Sequence, residues 1–275
     1  TRNIKFEVIV VDNGSEDGSS QAAKGLGAVT VNNKENLGFA VANNQGVKIA
    51  RGEYILFLNS DTEIDSNVLG DMTIFMKENP KAGVATCALK NKDGSMQATG
   101  GYFPTIISVF SWMLIQDLPI VDKFIKPFHP YHSKSFFSKG NSFYSQKKEL
   151  DWVTGAFLMT SRKVLNQVGG WDESFFMYVE EVDLCFRVKN EGFQVWYLPK
   201  WNITHLGGAS SKTNEFSLIS EYKGVKKFYK KHYPAWQYPI LRFILKTGAL
   251  GRMILFGILE GVDSVKIYAK AFKIA

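Results

Sequence analysis

At 275 residues, with 45% hydrophobic and 21% charged side chains, the chain can bury a full core, which excludes a disordered or low-complexity protein. Its net charge of +7 is unevenly placed: from Tyr222 onward eleven Lys/Arg stand against two acids, a net of +9, so the remainder carries −2. The two cysteines, Cys87 and Cys185, have no partnered spacing and no nearby Cys/His cluster, which excludes a disulfide framework or zinc site and fits a cytoplasmic setting.

In chain order, an apolar strand at 6–11 runs into Asp12-Asn13-Gly14-Ser15, a strand-to-helix loop whose backbone donors and small polar side chains suit a nucleoside or phosphate. A helix at about 17–25 and a strand at 28–32 follow. Glu35-Asn36-Leu37-Gly38 then opens a helix over 38–50 that carries Asn43. Taken singly, each of these loops is also an ordinary strand-to-helix turn. A strand at 53–59 ends abruptly in Asn59-Ser60-Asp61-Thr62-Glu63. Ligands of open α/β sheets bind beyond the carboxyl ends of strands. A carboxylate there can hold a hard divalent cation bridging phosphate oxygens, although the same residues suit a turn or helix cap. A helix near 66–78 and a strand at 83–89 extend the alternation, which implies a mostly parallel, doubly wound sheet.

Residues 104–150 lack periodicity and mix Trp112, Phe128, His129, Tyr131, His132 and Phe136, the pattern of an irregular insertion. A strand at 152–160, a short helix near 162–168, a helix from about 180 to 190 and a strand at 193–198 finish the body. Thr154-Gly155 has no titratable group, and its glycine marks backbone close to a ligand or to a neighbouring strand. Trp152 and Trp171 could stack on a sugar face or fill the core. Glu180, Glu181 and Asp183 lie within four residues, behind Trp171, Phe175, Phe176 and Tyr178. Mutual repulsion and apolar surroundings both raise such carboxylates toward the range of a general base. A helix first turn, with Asp183 and Arg187 paired at i,i+4, is the other reading. His205 follows the 193–198 strand by a short loop. Gly207 and Gly208 would let that loop approach a phosphate, with Ser210 and Ser211 as further contacts. Dinucleotide, phosphate-loop, nucleophile-elbow and zinc-protease motifs are absent.

The tail gathers Lys223, Lys226, Lys227, Lys230 and Lys231 among aromatics, ahead of an apolar run at 240–259. That run has the length of a membrane span, but Arg242, Lys246 and Arg252 interrupt it, which suits an interfacial helix on anionic lipid. An apolar run has no role on a phosphate backbone, so no nucleic acid is expected. Packing of these helices on the body is the alternative.

The segments 10–15, 36–44, 58–63, 152–156, 176–187 and 205–211, in this order, resemble the family-2 glycosyltransferases, inverting sugar-nucleotide enzymes. Their wording is most similar to bacterial rhamnosyltransferases acting on cell-surface polysaccharides. The resemblance implies an α/β, GT-A type, Rossmann-like fold with a basic amphipathic helical tail. Residues 1–95 would form the nucleotide-sugar half, 96–215 the acceptor and catalytic half, and 216–275 the tail. It places the donor on Asp12, Asn13, Ser15, Asn36, Gly38, Asn43, Asn59 and Asp61, and a divalent cation, Mg2+ or Mn2+, on Asp61 and His205. Glu181 becomes the base, with Glu180 in reserve and Asp183 orienting the site. Thr154, Gly155 and Trp171 fall on the acceptor side. The implied reaction moves rhamnose from dTDP-rhamnose to a saccharide or polyprenyl-linked glycan. It would run on the inner face of the cell membrane, with a homo-oligomer also open. Two departures stand out: family members usually begin with an earlier strand and helix, and Glu181 stands where relatives often carry Asp. Another nucleotide-handling enzyme and an inactive sugar-binding module are the rival readings.

Overall fold

Apolar runs that end in polar turn residues form strands, and the amphipathic runs between them form helices. The computed structural model describes residues 4–116, 121–130, 140–207 and 214–275. β1 (Ile9–Asp12), α1 (Ser19–Gly25) and β2 (Val29–Asn32) make a parallel two-stranded sheet, and α2 (Phe39–Ile49) packs back on β1. Next come β3 (Tyr54–Leu58), β4 (Thr62–Glu63), α3 (Val68–Glu78), β5 (Ala82–Lys90) and β6 (Gly100–Gly101). α4 (Ile106–Phe110) runs into a π-helical turn at Ser111–Ile115, followed by α5 (Val121–Phe124), α6 (Gly140–Phe143), β7 (Lys148–Leu150) and β8 (Trp152–Val153). β9 (Phe157–Ser161), α7 (Arg162–Val168), α8 (Glu180–Asn190) and β10 (Gln194–His205) complete the body. α9 (Asn214–His232), α10 (Gln237–Glu260) and α11 (Val262–Ile274) form the tail.

The central sheet has the order β3-β9-β5-β10-β4, with β7 also on β10. β3, β5 and β10 run the same way, as the alternating pattern requires. The sheet is nevertheless mixed, because β9 inserts antiparallel between β3 and β5. Hydrogen bonds from Thr86 Oγ1 to the Phe157 carbonyl and from Thr160 Oγ1 to the Gly83 carbonyl, each 2.6 Å, pin it there. The strand expected over 152–160 is two strands broken at Thr154-Gly155, since β8 pairs with β6 while β9 pairs with β3. β10 runs longer than the sequence suggests: a register shift between Leu198 and Asn202 carries it on to His205, which ends a strand instead of lying in a loop.

β5 is buried on both faces. On one face α3 contributes Val68, Met72, Phe75 and Met76 to a core shared with Cys87, Leu89, Phe157 and Ile203. On the other, α7, α8 and the tail pack through Leu165, Val182, Leu184, Val188, Tyr222, Phe228 and Leu245. Tyr222, Val225, Phe228 and Tyr229 of α9 are fully buried, and each such side chain withdrawn from water contributes about 1.5–3 kcal/mol.

The tail is therefore not a freely solvated basic arm. Lys226 bonds the Ile274 carbonyl, Lys227 bonds the Ser174 carbonyl, and Lys231 reaches Asp172 and Asp183 at 2.6 and 2.7 Å. Lys230 lies over the Tyr238 ring. Outward, α10 keeps an apolar stripe through Phe243, Ile254 and Ile258, the first 71% and the last 80% exposed. Among the described residues no helix is long and apolar enough to cross a membrane. Tyr131, His132, Phe136, Gly208, Ser210 and Ser211 lie outside the described residues.

Candidate active site

Three groups of polar residues meet at one end of the fold. The first is the network expected to hold the nucleotide. Asp12 Oδ1 caps the Ser15 N–H at 2.9 Å, and Asn33 donates to Asn13 Oδ1 at 2.8 Å. Asn13 Nδ2 donates to the Gly38 carbonyl at 3.2 Å, while Asn36 Oδ1 accepts from the Gly38 N–H at 2.9 Å. The β1 and β2 loops are thus one polar surface, with Asn43 one turn on along α2, bonded to the Phe39 carbonyl. Gly38 sits at φ 91°, and a Cβ there would stand 2.7 Å from the Phe176 carbonyl oxygen, so only glycine fits. The next N–H, of Phe39, donates to that same carbonyl at 2.9 Å, which ties this loop to the acidic segment.

The second group lies beyond the end of β3. β4 pairs antiparallel with the end of β10, placing His205 opposite Thr62 and bringing its Nε2 to 3.2 Å from Asp61 Oδ1. His205 Nδ1 meets Gln97 Oε1 at 2.7 Å. Gln97 Nε2 donates to the His205 carbonyl and to Asn91 Oδ1, which fixes Oε1 as the acceptor and leaves the proton on Nδ1. In the neutral imidazole the Nε2 lone pair then faces Asp61 Oδ1, a buried oxygen with no hydrogen-bond partner, and in the imidazolium the two form an ion pair. Asn59 Nδ2 lies 3.4 Å from the same Nε2. Two lone-pair atoms at 3.2 Å suit adjacent ligands of one hard cation, which at about 2.1 Å from each would set them roughly 3 Å apart. Among the described residues no cluster of three or more His, Cys, Asp or Glu side chains could hold a metal; at this point the fold brings together the Asp61–His205 pair.

The third group surrounds a cavity of about 380 Å³ lined by His129, Trp152, Thr154, Tyr178, Glu181 and Glu221, among others. Ala98 lines it too, while its neighbour Gln97 reaches His205, so one extended segment separates the two groups. Glu181 begins α8 at the cavity. Burial pushes its carboxyl up from 4.5 to about 7, with Glu221 adding to the rise and His129 opposing it. Glu180, only 4% exposed, is raised well above its ordinary value by burial and by the Glu181 charge, but it does not line the cavity. The turn before α8 is strained: Tyr178 and Val179 adopt φ of 68° and 73°, a conformation costing a β-branched residue about 1–3 kcal/mol. α9 holds it, with Gly224 flush against Val179 and the Tyr178 hydroxyl 2.8 Å from Ser217 Oγ.

Asp183, Trp171 and Gly155 take the structural places that the sequence also left open for them. Asp183 is fully buried and holds Arg187, Lys231 and His232 at 2.6–2.8 Å, outside the cavity lining; it locks α9 onto α8. Burial alone would raise its carboxyl, but the His232 hydrogen bond and the Arg187 and Lys231 charges hold it below the ordinary value. Trp171, 2% exposed, packs edge-on against Phe39 and Phe57 in the core. Gly155 turns toward the Phe39 ring, where a Cβ would stand 2.8 Å from Cζ, so a neighbouring side chain explains it. Gln97 and Glu221 carried no sequence signal, and His129 stood only as one aromatic of the insertion.

Residues 2–152 match the family described as "Glycosyl transferase family 2". The chain belongs to that family. This glycosyltransferase is 24% identical over 253 residues, 87% of its length and 79% of the relative's, to the N-acetylglucosaminyl-diphospho-decaprenol L-rhamnosyltransferase of Mycobacterium tuberculosis. It is 26% identical over 156 residues to the rhamnosyltransferase WbbL of Escherichia coli, covering 57% of this chain and 53% of that one. Among solved structures it is similar to the mannosyltransferase PcManGT from Pyrobaculum calidifontis, in complex with GDP-Man and Mn2+. That match has a TM-score of 0.51 and 15% identity, over 98% of this chain and 71% of that one. GalNAc-T7 with UDP, GalNAc and Mn2+ gives a TM-score of 0.57 at 11% identity, over 88% of this chain and 44% of that one. The glycosyltransferase has the GT-A fold of these neighbours, with its central sheet and flanking helices.

Proposed function

We propose that this glycosyltransferase moves rhamnose from dTDP-rhamnose to a saccharide carried on a polyprenyl diphosphate, with inversion, at the inner face of the cell membrane. The observation that carries the reading is Glu181: a carboxyl raised to about 7 that lines a cavity one segment away from the Asp61–His205 pair. The sugar and acceptor classes rest on the printed activity of the mycobacterial relative.

Glu181 takes the proton of an acceptor hydroxyl as that oxygen bonds the anomeric carbon; the bond from this carbon to the diphosphate breaks, and the nucleoside diphosphate leaves from the opposite face. Asp61 and His205 would hold a divalent ion, Mg2+ or Mn2+, which when bound supplies neutralisation of the diphosphate charge. Asp12, Asn13, Ser15, Asn36, Gly38, Asn43 and Asn59 orient the nucleotide side, and Thr154 lies where the acceptor enters. The outward stripe of α10, beside a tail of net charge +9, fits peripheral contact with anionic lipid.

The test is transfer from dTDP-rhamnose to a short-chain prenyl N-acetylglucosaminyl diphosphate with manganese, read by mass spectrometry. A disaccharide-lipid product is expected. Transfer only from another nucleotide sugar would replace the donor, and release of diphosphate without a glycoside would replace the reaction class.

A further inference from the structure

Facing Glu181 across the cavity is a pair that neither the base nor the diphosphate pole accounts for. His129 follows α5, and its Nε2 stands 2.6 Å from Glu221 Oε1 on α9, with each side chain 22% exposed. Withdrawing two such groups from water costs desolvation that a freely solvated rim would avoid. Packing does not call for it, because the rest of the inward face of α9 is apolar: Tyr222, Val225, Phe228 and Tyr229. His129 is sealed in place by rings, 5.5 Å from Trp152 and 5.3 Å from Trp112. Glu221 nevertheless lines the cavity, together with Trp152 and Tyr178. Aromatic wall on one side and a fixed acceptor on the other is the chemistry that a pyranose ring presents in reverse: an apolar C–H face and donor hydroxyls.

We infer that Glu221, braced by His129, is the acceptor-positioning residue of this site, accepting a hydrogen bond from a hydroxyl of the acceptor sugar next to the one that Glu181 deprotonates. Helix α9 is then a wall of the active site as well as a clamp on the turn before Glu181. The inference rests on the transferase reading above for the identity of the acceptor, and on geometry for the pair.

The groups around Glu181 are His129 from the segment after α5, Glu221 with Ser217 from α9, Tyr178 ahead of α8, and Glu180 and Cys185 on α8 itself. Of the two partners across the cavity, His129 favours the charged form of Glu181 and Glu221 disfavours it. Removing one or the other must therefore move the titration of Glu181 in opposite directions, which general damage to the fold would not do.

Protein labelled with 13C at glutamate carboxyls supplies the test, the Glu181 resonance being the one lost in Glu181→Gln. Its midpoint should fall in Glu221→Leu and Glu221→Gln and rise in His129→Gln. Equilibrium binding of the short-chain prenyl N-acetylglucosaminyl diphosphate should weaken about tenfold or more in Glu221→Leu. It should recover in part in Glu221→Gln, which keeps a hydrogen-bond acceptor, while manganese-dependent binding of the nucleotide stays unchanged. Midpoints that move together or not at all, or acceptor binding indifferent to Glu221→Leu, overturn the inference. Each variant has its own expected sign, so one that fails to fold leaves the other decisive. A wild-type protein that binds no such acceptor refutes the acceptor named above, and the titration still decides on the pair.

Discussion

Replacing Glu181 by Gln should stabilise the protein at alkaline pH while disabling it. The carboxyl binds its proton more tightly in the folded chain than in the unfolded one, rising from an ordinary 4.5 to about 7. Between those values the native state holds more protons, so its stability falls as pH rises and levels off above about 7. At ~1.4 kcal/mol per tenfold change in proton affinity, the full interval is worth about 3 kcal/mol. Gln keeps the shape and the hydrogen bonds but has no charge to bury, and it relieves Glu180 of its nearest like charge. Urea unfolding of both proteins from about pH 4 to 8.5 should show nearly equal stability at the acid end. The variant should gain up to about 3 kcal/mol at the alkaline end. Turnover should drop about 10²-fold or more, and wild-type activity should rise with pH through about 7 as the base ionises. A stability difference that stays flat with pH would refute the burial argument, whatever the kinetics show.

Asp61→Ala should abolish manganese-dependent nucleotide binding measured by calorimetry, and unchanged affinity would remove Asp61 from the ligand set. Gln97→Leu frees His205 to take the other tautomer and should weaken Mn2+ binding about 10–100-fold with the melting temperature nearly held; electron paramagnetic resonance of free Mn2+ reads this directly. Asp183→Ala leaves Arg187, Lys231 and His232 without their shared buried partner and should cost about 3–5 kcal/mol. In the wild type that contribution is present above the ordinary carboxylate range and is lost as pH falls through the lowered value. Phe243→Glu with Ile258→Glu should release the protein from anionic vesicles without changing its melting temperature, and equal sedimentation of both proteins would free the α10 stripe from any lipid role.

The elements whose identity is written locally were legible in the sequence. α7 and α8 fall where the sequence places helices, near 162–168 and from about 180 to 190, and β3 ends at Leu58 because an apolar run meets Asn59-Ser60-Asp61 there. The direction of a strand is not a local property. The antiparallel insertion of β9 follows from its partners in space, and the break at Thr154-Gly155 follows from β8 joining β6 instead. Asp183 and Glu181 read alike in sequence and differ only in what folds over them. Lys231 and His232 of α9 fold over Asp183, while Glu181 keeps a cavity before it. The Lys cluster of α9 read equally as a lipid-facing patch or as a face packed on the body, and four of its five members find partners on the body and on neighbouring helices. Gln97, His129 and Glu221 act at separations of some 40 to 110 residues from their partners, beyond any motif window.

The clamp of α9 on the Tyr178–Val179 turn sets an order of events during synthesis. Gly224, Ser217 and Glu221 are translated after every strand of the body, yet they close the cavity around Glu181. Until that helix leaves the ribosome, the cavity before Glu181 lacks its α9 wall, and the Glu221 charge that adds to the rise of its carboxyl is absent. The nascent chain can complete its sheet and the β1 and β2 loops and still lack a closed cavity before Glu181. The cavity is closed by α9, the helix that leads into the outward apolar stripe of α10.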